Sequence, residues 1–250
     1  MSFLLTEQEK QVGIKLLDGR PYYLALEILG NRKELVQIEP LIERLENSLE
    51  DDEVQYLTIT LDSSFIKGTQ FLKKRLYKLK SQSIEFKRDL QMADMEYDYS
   101  SITFRRAEDV GIATFLRMWD AVMSDSLNTT SFHSVEEQYA GMKQEIGEQY
   151  RDSCYCVYRE GNELGIVIPI VEPGTAEEGR LFYLGLLPTQ RGKGLGTIVH
   201  RLGLYLLKLK GATYYVGSTG IENKPMQQIF QNNDCVLDRT VSTYSKKLCK

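Results

Sequence analysis

Hydrophobic and polar positions in the second part of the chain follow two different periods. From residue 102 onward, short apolar runs typical of strands alternate with segments whose apolar residues recur at helical spacing. The turn Glu160-Gly161-Asn162 is typical of a β-hairpin. Predicted strands cover residues 102–105, 154–158, 164–171, 180–187, 213–217 and 240–248; predicted helices cover 109–123, 134–149, 196–210 and 224–231.

The first hundred residues have a less regular pattern. Apolar stripes near helical spacing predict helices within residues 21–50, alternation predicts a strand over 54–61, and residues 65–80 are predicted to form a helix with a basic outer face. The polar stretch 91–101 is interpreted as a linker or domain edge. The pattern therefore predicts an N-terminal α/β domain over 1–101 and a second α/β domain over 102–250.

Composition and charge exclude several classes of protein. Apolar residues make up 42% and charged residues 26% of the chain, which is ordinary globular usage. The net charge of −4 argues against a nucleic-acid partner, and the acidic excess lies in residues 1–101. No apolar run approaches the ~20 residues of a membrane helix, and the start does not resemble an export signal. We therefore expect a cytoplasmic protein with no membrane partner, with its four cysteines reduced.

Metal binding is not expected from the residue types. The chain has two histidines and no Cys-x-x-Cys pair, so its ligand set is poor for zinc. Cys154 and Cys156 are interpreted as ordinary strand residues, and Trp119 as part of an apolar helix stripe. His200 is expected to pack, whereas His133 is either a loop base or a surface histidine.

The segment richest in chemical information is residues 190–197, here called the glycine loop. It follows a predicted strand, reads Gln-Arg-Gly-Lys-Gly-Leu-Gly-Thr, and opens into a predicted helix. Glycines permit positive φ and a close backbone approach, and the free N–H groups of a helix N-terminus bind anions. Arg191 and Lys193 add positive charge. The loop therefore predicts a phosphate site. It does not fit the Walker pattern, because no lysine stands between Gly196 and Thr197, and it does not fit the dinucleotide pattern, because Thr197 stands where a third glycine is needed.

The pattern Arg191-x-x-Gly194-x-Gly196 resembles the Arg/Gln-x-x-Gly-x-Gly/Ala signature of the GNAT acetyltransferase superfamily. The element order of residues 102–250 is similar to that fold as well. The resemblance implies a central splayed sheet flanked by helices, acetyl-CoA as cosubstrate and no metal. It implies cofactor contacts through Leu184, Leu186, Leu187, Gln190, Arg191, Gly192, Lys193, Gly194, Leu195, Gly196, Thr197, Asn223, Met226 and Phe230.

The resemblance also implies the chemistry, which is direct transfer of acetyl from a thioester to a primary amine. In many family members, a tyrosine on the helix after the asparagine protonates the leaving thiolate, but here that position holds Phe230. Ser218, Thr219, a nearby tyrosine or solvent would then supply the proton. Glu172 is a candidate base, with residues 177 and 178 as alternatives, and Tyr183 could position a water.

Two functions stay open from the sequence. One is an N-acetyltransferase acting on a small-molecule or peptide amine; the other is a non-catalytic acyl-CoA-binding or sensing module, which the phenylalanine at position 230 favours slightly. The N-terminal part is either a degenerate half of the same fold or an added α/β cap, and in both cases we expect it to bind no CoA. The chain could also form a homodimer.

Overall fold

A computed structural model describes residues 3–20, 22–29, 38–49, 54–91, 101–127 and 134–248. Internal contacts divide the chain into two units, one of Met1–Ile84 with Arg239–Lys250 and one of Glu85–Asp238. These units differ from the predicted division after residue 101, because most of the strand over 236–247 belongs to the first unit. The assignment of two domains stays a prediction.

In its described part, the first unit combines three helices with a sheet ordered β1-β2-β3-β10. β2 and β3 are parallel, whereas β1–β2 and β3–β10 are antiparallel. Apolar side chains from helices and strands form one core, in which Leu26, Ile42 and Leu57 are buried. Its elements are α1 Glu7–Gln11, β1 Ile14–Gly19, β2 Tyr23–Ile28, α2 Ile38–Ser48, β3 Tyr56–Asp62, α3 Ile66–Lys74, the start of β4 Lys78–Asp89 and most of β10 Val236–Lys247.

The predictions for this unit are confirmed only in part. The strand over 54–61 is confirmed as β3, and α2 confirms one helix within 21–50. The helix predicted around Leu24 and Ile28 is wrong, because these residues belong to β2, which pairs with a strand on each side. The helix predicted over 65–80 ends at Lys74; Leu76 has a φ of 68°, and β4 begins two residues later. Most of the predicted linker, residues 92–100, lies outside the described residues.

The second unit holds the predicted mixed α/β arrangement. Its strands are ordered β4-β9-β8-β7-β6-β5, antiparallel from β5 to β8 and parallel between β8 and β9. The predicted hairpin turn is confirmed, since Glu160 and Gly161 have φ values of 51° and 80°. The elements are β5 Ile102–Arg106, α4 Ala107–Val110, α5 Ile112–Met123, α6 Val135–Ile146, α7 Tyr150–Ser153, β6 Tyr155–Arg159, β7 Asn162–Val171, β8 Glu178–Leu186, α8 Leu195–Leu209, β9 Tyr214–Gly220 and α9 Lys224–Asn232.

Helices pack on both faces of this sheet. Ile166 and Ile168 of β7 join a core with α5 and α6, whereas Val167 between them joins a core with α8. Successive residues of a strand point to opposite faces, so β7 is buried on both sides. This explains its nearly continuous apolar run.

Candidate active site

The two central strands of the second unit separate along their length. β8 and β9 run parallel, and their register within the described residues has two pairs, Glu178 with Tyr214 and Gly179 with Tyr215. β8 then continues to Leu186 and β9 to Gly220. The splayed sheet that the resemblance implied is therefore confirmed.

A β-bulge sets the direction of the side chains along β8. Ile168 pairs with Tyr183 and Pro169 pairs with Leu181, which leaves Phe182 as the extra residue. Phe182 and Tyr183 consequently both pack against the core on the α5 face, whereas Leu181 packs against the core on the α8 face. The bulge thus changes which face of the sheet the side chains of β8 point to, at the place where the strand reaches the opening.

The edge of β8 that faces away from β7 carries the peptide groups of Leu184 and Leu186. The Leu187 N–H donates to the Leu164 carbonyl in β7 at 3.0 Å, and successive residues direct their peptide groups to opposite edges of a strand. The backbone of residues 184 and 186 therefore faces the opening. Pairing of this edge with a pantetheine arm stays a prediction.

The glycines of the glycine loop have two different structural roles. Gly192 and Gly194 have φ values of 72° and 76°, and a Cβ on either would meet no heavy atom within 4 Å. Backbone conformation therefore selects glycine at both positions. Gly196 differs from the expected role, because it lies within α8 and a Cβ there would be 2.7 Å from Ile229 Cδ1. Its small size lets α9 approach α8.

The N-terminus of α8 has no side-chain cap. Its N-cap residue is Gly194. The starts of α3, α4 and α5 likewise have no side-chain cap, whereas Thr6, Ser134 and Asn223 each accept a backbone N–H at the start of α1, α6 and α9. The first-turn N–H groups of a helix have no partners within the helix. At α8 they are combined with the positive end of a 15-residue helix dipole, which is the arrangement that binds phosphate.

The side chain of Arg191 is occupied by backbone carbonyls. Its Nε donates to Leu186 O at 3.0 Å, and its Nη atoms donate to the carbonyls of Val122, Ser124 and Asp125, each at 2.9 Å. A cation bonded to the last carbonyls of α5 also complements the helix dipole. Arg191 therefore links the end of α5 to the end of β8 through hydrogen bonds. Sequence reasoning missed this role.

Arg191→Ala should lower the free energy of unfolding by about 2–4 kcal/mol, because several carbonyls lose charge-assisted hydrogen bonds. Urea unfolding measures the loss. Lys193→Ala is the matched control, since among the described residues this exposed side chain bonds to Gln190 Oε1 alone, at 3.4 Å, and should change stability by less than about 0.5 kcal/mol. Equal effects of the two substitutions would contradict the linking role.

The start of α9 places three further predicted residues. Asn223 is the N-cap, and its Oδ1 accepts the Met226 N–H at 3.2 Å, so its side chain organises the helix. Phe230 is buried, with its ring 4.9 Å from that of Phe86. Asn223, Met226 and Phe230 all line the opening between β8 and β9.

A cleft of about 630 Å³ occupies this opening. The residues predicted for cofactor contact are divided between its lining and its surroundings. Those that line it are Leu184, Leu186, Arg191, Gly192, Gly194, Gly196, Thr197, Asn223, Met226 and Phe230. Gln190, Lys193 and Leu195 of the glycine loop, and Leu187 before it, are not among the lining residues that the structure describes.

Several lining residues were missed by sequence reasoning. They come from the end of α5 and the residues after it, from β8 and from β9, and include Val122, Asp125, Phe182 and Tyr215. The glycine signal marks only the loop and its helix, because the other residues reach the cleft through the bulge and the divergence of the strands. The sequence signal that could have identified Tyr215 was the presence of a tyrosine in the strand that precedes Asn223.

The structure separates the three candidate catalytic residues. Ser218 is exposed on β9 and lines the cleft. Tyr183 also lines it, with its ring 5.8 Å from that of Trp119. Glu172 is not among the described lining residues, and its carboxylate lies 3.3 Å from Arg180. Their catalytic roles stay predictions, and His133 lies outside the described residues.

The ion pair at Arg180 gives the Glu172 carboxylate a structural partner. Burial opposes the charge on Arg180, but the carboxylates of Glu178 and Glu172 favour it, and the pKa of the guanidinium is raised above its usual range. The Glu178 carboxylate also lies 2.6 Å from Arg180 and accepts the Tyr214 hydroxyl at 3.1 Å. These ion pairs link the two ends of the turn between β7 and β8.

His200 and Tyr215 form a buried polar network beneath the cleft. His200 Nε2 is 3.2 Å from the Tyr215 hydroxyl, and Asn233 Nδ2 is 2.9 Å from His200 Nδ1. Burial, with added effects of the charges on Arg88 and Arg201, lowers the pKa of His200 to about 3. Packing of His200, as predicted, is confirmed, and the ring is neutral at physiological pH.

The described part of the chain lacks two kinds of feature. No helix among these residues has both the length and the apolar character needed to cross a membrane. Within the same residues, no group of three or more His, Cys, Asp or Glu side chains could hold a metal ion.

No protein-family model and no curated protein matches this sequence. Solved structures do match. One is a GCN5-related N-acetyltransferase from Sphaerobacter thermophilus, with 13% identity and a TM-score of 0.63 over 94% of this chain and 76% of that one. Another is a tandem GNAT protein from the clavulanic acid biosynthesis pathway, with 12% identity and a TM-score of 0.64 over 94% and 78%.

A third similar structure is a GNAT-family acetyltransferase from Colwellia psychrerythraea, with 14% identity and a TM-score of 0.59 over 90% of this chain and 78% of that one. At such identities the likeness concerns the fold. The order of strands, the divergence of β8 from β9 and the glycine loop before α8 agree with it. The chain therefore has the fold of the GNAT acetyltransferases.

Proposed function

We propose that this protein is an acetyl-CoA-dependent N-acetyltransferase that moves an acetyl group directly to a primary amine. The observation that carries the proposal is the uncapped N-terminus of α8. It lies at the cleft between β8 and β9 and follows two glycines with left-handed backbone conformation, Gly192 and Gly194. Backbone N–H groups in this arrangement suit a pyrophosphate. The fold of the similar structures supports the same activity by analogy.

The described residues fit the chemistry of CoA. The N–H groups at the start of α8 would hold the pyrophosphate. The edge of β8 that faces the opening would pair with the amides of the pantetheine arm through the peptide groups of Leu184 and the N–H of Leu186, since the Leu186 carbonyl accepts from Arg191. Asn223 and Met226 would line the other side. Acetyl-CoA would supply an activated thioester, and the residues of the cleft would align its carbonyl with the amine.

Binding of acetyl-CoA is the first test. A ligand of the native state present at 100 times its Kd stabilises that state by about 2.7 kcal/mol, which corresponds to a rise in Tm of about 5–10 °C for a chain of this size. Differential scanning fluorimetry of the full chain measures it. The absence of a shift at saturating acetyl-CoA would overturn the proposal.

A non-catalytic acyl-CoA-binding module is the second candidate, and Phe230 favours it. The position that a family tyrosine would occupy holds a buried ring without a hydroxyl. Release of CoA thiol from acetyl-CoA in the presence of a panel of polyamines, aminoglycosides, amino acids and peptide N-termini separates the two. Thiol release supports the enzyme, whereas a shift in Tm without thiol release supports the module.

The proposal also covers the acceptor, the cellular location and the assembly of the protein. We infer a small-molecule or peptide amine as the acceptor, a cytoplasmic location, and a homodimer as an assembly to be tested by light scattering. We also propose that residues 1–101 are a degenerate half of the same fold. The fold likeness covers 94% of the chain and so includes much of this part.

The N-terminal part is proposed not to bind CoA. The turn after β3 holds Asp62, whose Oδ1 accepts the Ser64 N–H at 2.9 Å and its hydroxyl at 2.7 Å. A carboxylate thus lies close to the start of α3, where a phosphate would otherwise meet backbone donors. Repulsion between the two anions disfavours phosphate there.

A further inference from the structure

The Tyr215 side chain is buried on β9 at the wall of the cleft between β8 and β9. The last described pair between these strands is Gly179 with Tyr215. From there the Tyr215 ring folds over Gly217, since a Cβ built on Gly217 would overlap the Tyr215 hydroxyl and lie 2.7 Å from Phe230 Cε1. The hydroxyl therefore lies two residues beyond the end of the pairing, beside Phe230, and Tyr215 lines the cleft.

Hydrogen bonds fix which groups donate in the network behind this hydroxyl. Arg201 Nε donates to Asn233 Oδ1 at 3.1 Å, which orients the Asn233 amide. Asn233 Nδ2 then donates to Thr197 O and to His200 Nδ1, each at 2.9 Å. Because Nδ1 accepts, the proton of the neutral imidazole is on Nε2, and Nε2 donates to the Tyr215 oxygen.

The hydroxyl hydrogen of Tyr215 is consequently available for donation. The hydroxyl oxygen already accepts a hydrogen bond from His200 Nε2. Among the residues that the structure describes, His200 is the hydrogen-bond partner of this hydroxyl. A phenol that accepts a hydrogen bond is a better donor, and its phenolate is stabilised by the same N–H. The network is thus oriented from Arg201 towards the cleft.

We propose that Tyr215 gives its proton to the sulfur that leaves during acetyl transfer, from β9 instead of from the α9 position held by Phe230. This inference rests on the proposed function. As the amine nitrogen forms its bond to the acetyl carbon, the carbon–sulfur bond breaks and sulfur takes the electron pair together with the Tyr215 proton. The amide nitrogen loses its extra proton to solvent, and solvent returns one to the phenolate.

Burial acts on both groups that exchange the proton. It raises the pKa of Tyr215 well above its usual range, so the hydroxyl is protonated at physiological pH and is present as a donor. Burial also disfavours a charged thiolate in the same cleft, so transfer of the proton removes the charge from sulfur. The low pKa of His200 keeps its ring neutral, so that it supports the phenolate as an N–H donor.

The test compares CoA with desulfo-CoA, which lacks the sulfur, by isothermal titration at a pH at which the bound thiol is ionised. Tyr215→Phe should weaken CoA binding about tenfold, as expected for one charge-assisted hydrogen bond, and leave desulfo-CoA binding unchanged. Acetyl transfer should slow about a hundredfold. Tyr214→Phe is the matched control, because its hydroxyl bonds Glu178, and neither measurement should change.

A second variant tests whether the hydroxyl itself is what matters. Tyr215→Phe combined with Phe230→Tyr returns a hydroxyl to the same space from α9 and should restore most of the lost affinity for CoA. If Tyr215→Phe does not fold, Tyr215→3,5-difluorotyrosine keeps the shape and lowers the phenol pKa. It should then shift the pH dependence of CoA binding to lower pH.

The outcomes separate the two proposals. If the parent protein binds neither CoA nor desulfo-CoA, the proposed function fails. If the parent binds both, and Tyr215→Phe weakens the two ligands equally or not at all, the role of Tyr215 is overturned and the proposed function stands. An unshifted pH dependence in the difluorotyrosine variant would also overturn it.

Discussion

Gly194→Val should weaken CoA binding by at least about a hundredfold. Gly194 is the N-cap of α8 and lines the cleft, and its Cβ position is empty of protein atoms within 4 Å. A branched side chain would project into the space where the loop N–H groups meet the pyrophosphate. Loss of two charge-assisted hydrogen bonds at about 1.5 kcal/mol each accounts for this factor. Isothermal titration with CoA measures it.

The backbone strain of this substitution requires its own control. Gly211 follows the C-terminus of α8, has a φ of 91°, and likewise has nothing within 4 Å of its Cβ position. Gly211→Val therefore carries a similar left-handed strain, of about 1–2 kcal/mol, away from the cleft. It should lose stability and keep its affinity for CoA. Parental affinity in a folded Gly194→Val protein would mean that the glycine loop is only a turn.

Acid should destabilise the protein through His200, which is buried and neutral. The native pKa of about 3 lies below the ordinary value of 6.5, so below pH 6.5 the unfolded chain binds a proton that the native protein excludes. The resulting stability is complete above pH 6.5 and falls by about 1.4 kcal/mol per pH unit as the pH drops towards 3. At pH 4 the loss from this residue alone is about 3 kcal/mol.

His200→Gln isolates this contribution. The amide keeps a hydrogen-bond donor near Tyr215 but does not titrate, so urea unfolding from pH 7 to pH 4 should show a shallower decline than in the parent. The carboxylates of the chain titrate in both proteins and cancel in the difference. In the parent, the NMR resonances of His200 should not titrate above pH 4. A midpoint near pH 6 would contradict a buried neutral ring.

The sequence was a good guide where elements are long or have a defined turn. The α8 stripe of Val199, Leu202 and Leu206 has a single period, and the hairpin at Gly161 has a turn that few other sequences allow. The run containing Leu24, Leu26 and Ile28 was a poor guide. Leu24 and Ile28 fit helical spacing, whereas Leu24, Leu26 and Ile28 fit a strand, and a short apolar run cannot distinguish the two.

By itself, the sequence determined the α/β class of residues 102–250 and the position of the helix N-terminus that we propose as the phosphate site, because glycine spacing and apolar period are local properties of the chain. Tertiary structure decided the rest. Pairing with two neighbours made residues 23–28 a strand, and three carbonyls distant in the chain accept hydrogen bonds from Arg191. The divergence of β8 from β9 placed Tyr215 in the cleft beside Phe230. Hydrogen bonds between residues far apart in the chain leave no periodic trace in the sequence, so only the folded structure reveals them.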